Sequence, residues 1–207
     1  MTADLSHIDA RAFDRVLHTA AGLFARHGLN GIGMAALAHE VTAATGVDPV
    51  AFRRAFPTRL DLAYAVALHS TRDLVQSQLD SPAVGLSPTE RVDRLVRRHI
   101  RHCWRYRTAE HLRRTLLPTL RTVHPERHRE LTDLLQGYRA HIRQLIAEGV
   151  AAGEFRVPAG ADTAGVVVDT LDSVLDWYDP EGGLTLAELG DVNADLVIHH
   201  HLGRPRE

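Results

Sequence analysis

Lysine is absent from this chain, cysteine occurs once, and aromatic residues make up only 5% of its 207 positions. The single cysteine, Cys103, excludes an intramolecular disulfide framework and a cysteine-rich structural zinc site. Basic charge is carried by 24 arginines against 26 acidic residues, for a formal net charge of −2. No global positive field is available to hold nucleic acid or an anionic membrane indiscriminately. No apolar run approaches the roughly 20 residues needed to cross a bilayer. The opening MTADLSHIDARAFDRVL lacks the apolar stretch of a signal peptide. A soluble cytoplasmic protein is the expectation. Apolar residues at 44% and charged residues at 24% are the balance of a globular chain with a core.

What is present is helical periodicity, from end to end. Phe13, Val16, Leu17, Ala20, Ala21 and Phe24 form one amphipathic stripe, which Gly28 stops. Met34, Leu37, Ala38 and Val41 begin a second helix that must end near Gly46. Asp48-Pro49 reads as an N-cap followed by proline at the first helical position. The third helix is short, because Pro57 cannot continue it, and Thr58 caps a longer fourth. Residues 80–88 read as a loop or linker, and Ser87 to Glu90 as a capping box opening the next helix. Pro118 marks a kink or an early end, Gly153 closes a long helix, and Thr185 to Glu188 forms a second capping box. About nine helices and no convincing strand predict an all-α fold: an N-terminal helix-turn-helix domain over residues 1–57 and a larger helical domain over 58–207.

Two short helices joined at Gly46-Val47 form a helix-turn-helix, whose second helix reads the major groove. Phe52 and Phe56 should dock the third helix inward and leave Pro49, Val50, Arg53 and Arg54 on the outer side. Arginine can bond bidentately to guanine or to phosphate. At these residues the chain resembles the TetR-type bacterial transcriptional regulators. The matching positions run from Ala21-Gly22-Leu23-Phe24-Ala25-Arg26-His27-Gly28 through Ala43-Ala44-Thr45-Gly46-Val47 to Phe52, Phe56-Pro57-Thr58-Arg59 and Leu62.

The resemblance implies operator DNA as a partner, a homodimer and a ligand-binding larger domain. It assigns Arg59 to a phosphate and adds backbone amides near Asp48. Relative to the family's common spacing, four residues are added between Leu37-Ala38 and Ala43-Ala44, close to one helical turn. Ile32 and Gly33 stand where a threonine or serine is usual, Arg53 replaces a tyrosine, and Ala55 a histidine. Over residues 1–65, six arginines (11, 15, 26, 53, 54, 59) face six acids (4, 9, 14, 40, 48, 61), a balance of zero.

In the larger part, Leu145 through Phe155 and Trp177 through Val197 resemble, more loosely, a subgroup that senses acyl-CoA thioesters or other lipid-derived molecules. The expected pocket lining is Leu95, His99, Cys103, Trp104, Leu116, Leu120, Tyr138 and Leu171. His99 and Cys103, one turn apart, admit three readings: pocket polar groups, a chelating pair, or satisfied core residues. Asp169, Asp172 and Asp176 read as a solvated face or a subunit contact, without the partners of acid–base catalysis. His124 and His128 fall in a polar segment, and His199-His200-His201 reads as the frayed end of the last helix. Val174, Leu189, Val192, Leu196 and Val197 form the expected dimer seam, the last two helices pairing in the resembled family. No metal, cofactor or catalytic residue is expected.

The leading expectation is therefore a ligand-responsive repressor, released from operator DNA by an apolar small molecule. The competing reading is a small-molecule binding protein of the same fold whose remodelled head no longer reads DNA. An α-helical enzyme using the aspartates or histidines is a third.

Overall fold

The computed structural model describes residues 9–79 and 85–206. These residues form nine α-helices and one terminal π-helical turn, with no strand among them. In chain order the helices are α1 (Ala10–His27), α2 (Met34–Thr45), α3 (Pro49–Ala55), α4 (Arg59–Leu79), α5 (Pro88–Arg105), α6 (Arg107–Val123), α7 (Pro125–Ala151), α8 (Thr163–Trp177) and α9 (Leu186–Asp195). Much of the expected loop at 80–88 lies outside the described residues; Ser87 and Pro88 open α5.

Local chemistry sets most of these boundaries. Asp9 caps α1 by accepting from the Ala12 amide at 2.8 Å, and Gly28 ends it at φ 73°. Both predicted capping boxes are present, at Ser87/Glu90 and at Thr185/Glu188. Ahead of α4, Thr58 and Asp61 cap reciprocally: the Thr58 amide donates to Asp61 at 2.9 Å, and the Asp61 amide to the Thr58 hydroxyl at 3.1 Å. Pro118 does not end α6, which runs on to Val123.

The chain folds as two compact units. One extends to Thr71 and adds Thr108–Leu131; the other holds Arg72–Arg107 and the chain from Thr132 onward. The first is built on α1, α2 and α3, with Phe52 fully buried and the Phe56 ring tilted at 5.3 Å from it and stacked at 6.3 Å from Phe13. The core of the second centres on Val96, Ile100, Leu171, Leu189, Val197 and Leu202, where α5 packs against α8 and α9. Burying such side chains stabilises the fold by roughly 1.5–3 kcal/mol each, before chain entropy is counted.

The end of the described chain corrects one expectation. His199–His201 do not fray: they form the π-helical turn Leu196–His201. His199 Nδ1 lies 2.8 Å from the Arg204 carbonyl and His201 Nε2 3.0 Å from the Thr170 hydroxyl. The Arg156 amide donates to the Leu202 carbonyl at 2.8 Å, which ties this turn to the segment behind α7.

Candidate functional site

In the first unit, α2 ends at Gly46, whose φ of 72° and ψ of 9° are left-handed. A side chain at this point would strain the turn, so glycine permits the short link into α3. Asp48 accepts from the Ala51 amide at 2.8 Å and Pro49 occupies the first turn, so seven residues suffice for a defined helix. Phe52, Ala55 and Phe56 are buried. Asp48, Pro49, Val50, Arg53 and Arg54 are exposed, Val50 at 66%. The predicted reading face is therefore gathered on one side of α3.

Arg59 sits differently. It is half-buried, and its Nη1 donates to the carbonyls of Asn30 and Ile32, each at 3.3 Å. Ile32, which stands where a hydroxyl residue is usual in the resembled family, is buried in the core. Behind the head, Asp61 accepts from Arg127 at 2.7 Å, and the Arg127 guanidinium lies 4.8 Å from the centre of the Tyr64 ring. Burial would raise the Asp61 pKa, but the Thr58 and Arg127 hydrogen bonds and the Arg127 charge outweigh it and hold the pKa below the ordinary carboxylate value. A buried trio also escaped the sequence reading: Ser70 donates to Glu110 at 2.6 Å, and Arg113 to the same carboxylate at 2.6 and 3.0 Å. Glu110 and Arg113 lie three residues apart on α6, a spacing that could have suggested the pair.

In the second unit, His99 is the polar centre and is 0% exposed. Tyr138 Oη lies 2.9 Å from its Nδ1, and Asp172 Oδ1 lies 3.0 Å from its Nε2. Cys103, 1% exposed, follows one turn along α5. Burial works against the imidazolium, yet Cys103, Tyr138 and Asp172 outweigh it and hold the His99 pKa well above the ordinary histidine value. Burial pushes the Tyr138 phenol up. Asp172 is thus no member of a solvated face. It turns back onto α5, while Asp169 and Asp176 are exposed.

Of the expected pocket residues, His99, Cys103, Tyr138 and Leu171 are buried in this unit, as is Leu95. Trp104 is half-exposed and meets Tyr178 edge-on at 4.9 Å. Leu116 and Leu120 are core residues of the other unit and do not join this set.

A cavity of about 190 Å³ opens instead among Gln78, Leu79, Leu86, Arg91, Arg94, Leu95, Arg98, His141 and Leu145. Only Leu95 was expected there. The wall is cationic because Arg91, Arg94 and Arg98 recur at i, i+3 and i+7 on one face of α5. Arg91 pairs with Glu148, and Arg98 donates to the Ser77 carbonyl at 2.9 Å. Burial and the Arg91 charge lower the His141 pKa, so its ring is neutral at pH 7. Leucine side chains and guanidinium groups thus line the same cavity.

The expected dimer seam divides. Val174, Leu189 and Val197 are buried in the chain's own core. Val192 is 52% exposed and Leu196 half-exposed, and Val166 and Trp177 on α8 are exposed as well. An apolar stripe read from sequence includes both the inward side of a helix and its flank. Here the inward side is fully used within the protomer.

A short capped helix displayed after a glycine turn, in a chain that also holds a larger helical unit with its own core, is the make-up of a helix-turn-helix regulator fold. Residues 85–200 match the family described as "Tetracyclin repressor-like, C-terminal domain", and the chain belongs to that family, the TetR transcriptional regulators. No curated protein sequence matches it.

Solved structures show the same fold. A regulatory protein of the tetR family from Rhodococcus RHA1 superposes with a TM-score of 0.80 at 17% identity, covering 96% of this chain and all of that one. PfmR from Thermus thermophilus gives 0.74 at 22% identity, covering 90% and 98%. AibR, crystallised with isovaleryl coenzyme A and operator DNA, gives 0.70 at 19% identity, covering 90% and 98%. Among the described residues, no helix is long and apolar enough to cross a membrane.

Proposed function

We propose that this protein is a homodimeric repressor that binds operator DNA through α3 and releases it when an amphipathic small molecule enters the larger unit. The observation that carries the reading is the exposed row Pro49, Val50, Arg53 and Arg54, backed by buried Phe52, Ala55 and Phe56. Arg53 contacts a base edge and Arg54 a base or the backbone. The amide end of α3 near Asp48 adds a phosphate contact. Arg59 braces the turn before α2 through its two carbonyl bonds and adds a phosphate contact of its own. Two copies place two such helices about 34 Å apart, one turn of DNA. Val192 and Leu196, with Val166 and Trp177, are the surface offered to the second copy.

The inducer is an anion with an apolar portion, acyl-CoA-like in chemistry, held by Arg91, Arg94 and Arg98 over Leu79, Leu95 and Leu145. AibR, with its isovaleryl coenzyme A and operator DNA, supports this class by likeness of fold. Release requires that the ligand prefer the DNA-incompetent state; a hundredfold preference corresponds to about 2.7 kcal/mol. α4, whose length is divided between the two units, is the connecting element.

The test is fluorescence anisotropy with DNA from upstream of the gene, followed by titration of acyl-CoA thioesters into the complex. Saturable binding lost in Arg53→Ala, and reversed by a thioester, is the expected result. A folded dimer that binds thioester but no upstream DNA at low salt would leave the remodelled head as the correct reading.

A further inference from the structure

The polar centre of the larger unit has donor chemistry that an apolar core does not require. α5 sets His99 and Cys103 one turn apart, and α8 brings Asp172 against them. One imidazole nitrogen, the thiol sulfur and one carboxylate oxygen all lie within 4.8 Å of one another. Tetrahedral zinc, bound at about 2.0–2.3 Å from each ligand, needs such donors roughly 3.3–3.7 Å apart. The three are within side-chain adjustment of that spacing.

We propose that His99, Cys103 and Asp172 bind a zinc-class divalent cation, against the expectation that the protein holds no metal. His99 ligates through Nε2, Cys103 as thiolate and Asp172 through its carboxylate, leaving a fourth position for water or a small ligand. The Asp172 carboxylate can only accept, so His99 Nε2 carries a proton in the metal-free protein. The ion takes that proton's place, leaving Nδ1 to donate to Tyr138 Oη. On binding, the Cys103 thiol also releases its proton. A thiolate and a carboxylate neutralise a dication, so the occupied centre carries no net charge into the core. The Asp172 side chain is 29% exposed and gives the ion its entry; the His99 side chain is 1% exposed. Cys103 is too deeply buried to meet a substrate, so the same trio does not serve as a Cys–His–Asp nucleophile. This assignment is independent of the regulatory reading, because it is tested on the protein alone.

Cobalt(II) titration of the full chain, stripped with a chelator, provides the test. Cys103 is the only cysteine in the sequence, so a thiolate-to-cobalt charge-transfer band reports this centre and no other. One equivalent with that band and tetrahedral visible absorption is expected, with zinc displacing the cobalt. Cys103→Ser should lose the band, and Asp172→Asn should weaken binding at least tenfold, both with unchanged helical circular dichroism. Surface histidines, His199 to His201 among them, could take up cobalt without sulfur. Uptake by wild type with no thiolate band, or no uptake at all, overturns the proposal whatever the variants do. Unchanged affinity in a folded Asp172→Asn variant removes the carboxylate from the site and overturns it as stated.

Discussion

One carboxylate oxygen of Asp61 accepts from Arg127 at 2.7 Å while the other accepts from the Thr58 amide at 2.9 Å. A single side chain therefore caps α4 and pins it to the first turn of α7. Asp61→Asn should destabilise the protein by about 1–2 kcal/mol, combining a weakened cap with loss of a half-buried ion pair. The folded pKa lies below the unfolded one, so this contribution is present above about pH 4 and is lost as pH falls through the folded value. Urea unfolding at pH 7 and at pH 3 checks it: the gap between wild type and variant should be smaller at the second than at the first.

Under the proposed function, Arg53→Ala and Arg54→Ala should weaken DNA binding and leave the fold intact, because both side chains are exposed. A base-edge arginine should cost about 1–3 kcal/mol of affinity and relax sequence preference at one position. A phosphate arginine should weaken all sequences alike and flatten the salt dependence by about one unit of slope. Anisotropy on the upstream fragment and on a scrambled one, over a range of salt, separates the two roles. Melting temperatures should stay within a degree or two of wild type.

Gly149 is required by close packing. A Cβ there would lie 2.0 Å from a ring carbon of Phe155, which is itself buried where the chain turns back after α7. Gly149→Ala should cost about 1–3 kcal/mol by overpacking, despite alanine's better helix propensity. A second change, Phe155→Leu, should recover part of the loss. Chemical denaturation of the single and double variants measures both effects.

Glu110 and Arg113 are a buried pair, and removing one partner leaves the other's charge uncompensated by that contact. Glu110→Gln should destabilise by about 3 kcal/mol, whereas the joint replacement Glu110→Leu with Arg113→Met should cost less than the sum of its parts. A double-mutant cycle by thermal or urea unfolding gives the coupling directly.

Much of this architecture was legible because helix punctuation is local. Ser87/Glu90, Thr185/Glu188, Asp48-Pro49 and Gly46 act within a few residues of themselves, so their roles follow from spacing. The outer face of α3 was legible for the same reason, since Phe52 and Phe56 set which side turns inward.

Asp172 was not. Its position beside Leu171 places it at the margin of the apolar stripe, and only α5 arriving from elsewhere in the chain decides that it points in. The arginines of the cavity likewise look like a solvated helix face until His141 and Leu145 of α7 close around them. Val174, Leu189 and Val197 show the limit from the other direction, since periodicity cannot separate an apolar side chain packed within one chain from one packed between two.

The depth of Cys103 has a practical corollary. A cysteine introduced at the exposed Arg53 position would be the one thiol accessible to a maleimide dye or a nitroxide label, with the endogenous one left in place. Pulsed electron paramagnetic resonance on such labels would then read the spacing between copies directly, before and after an effector is added.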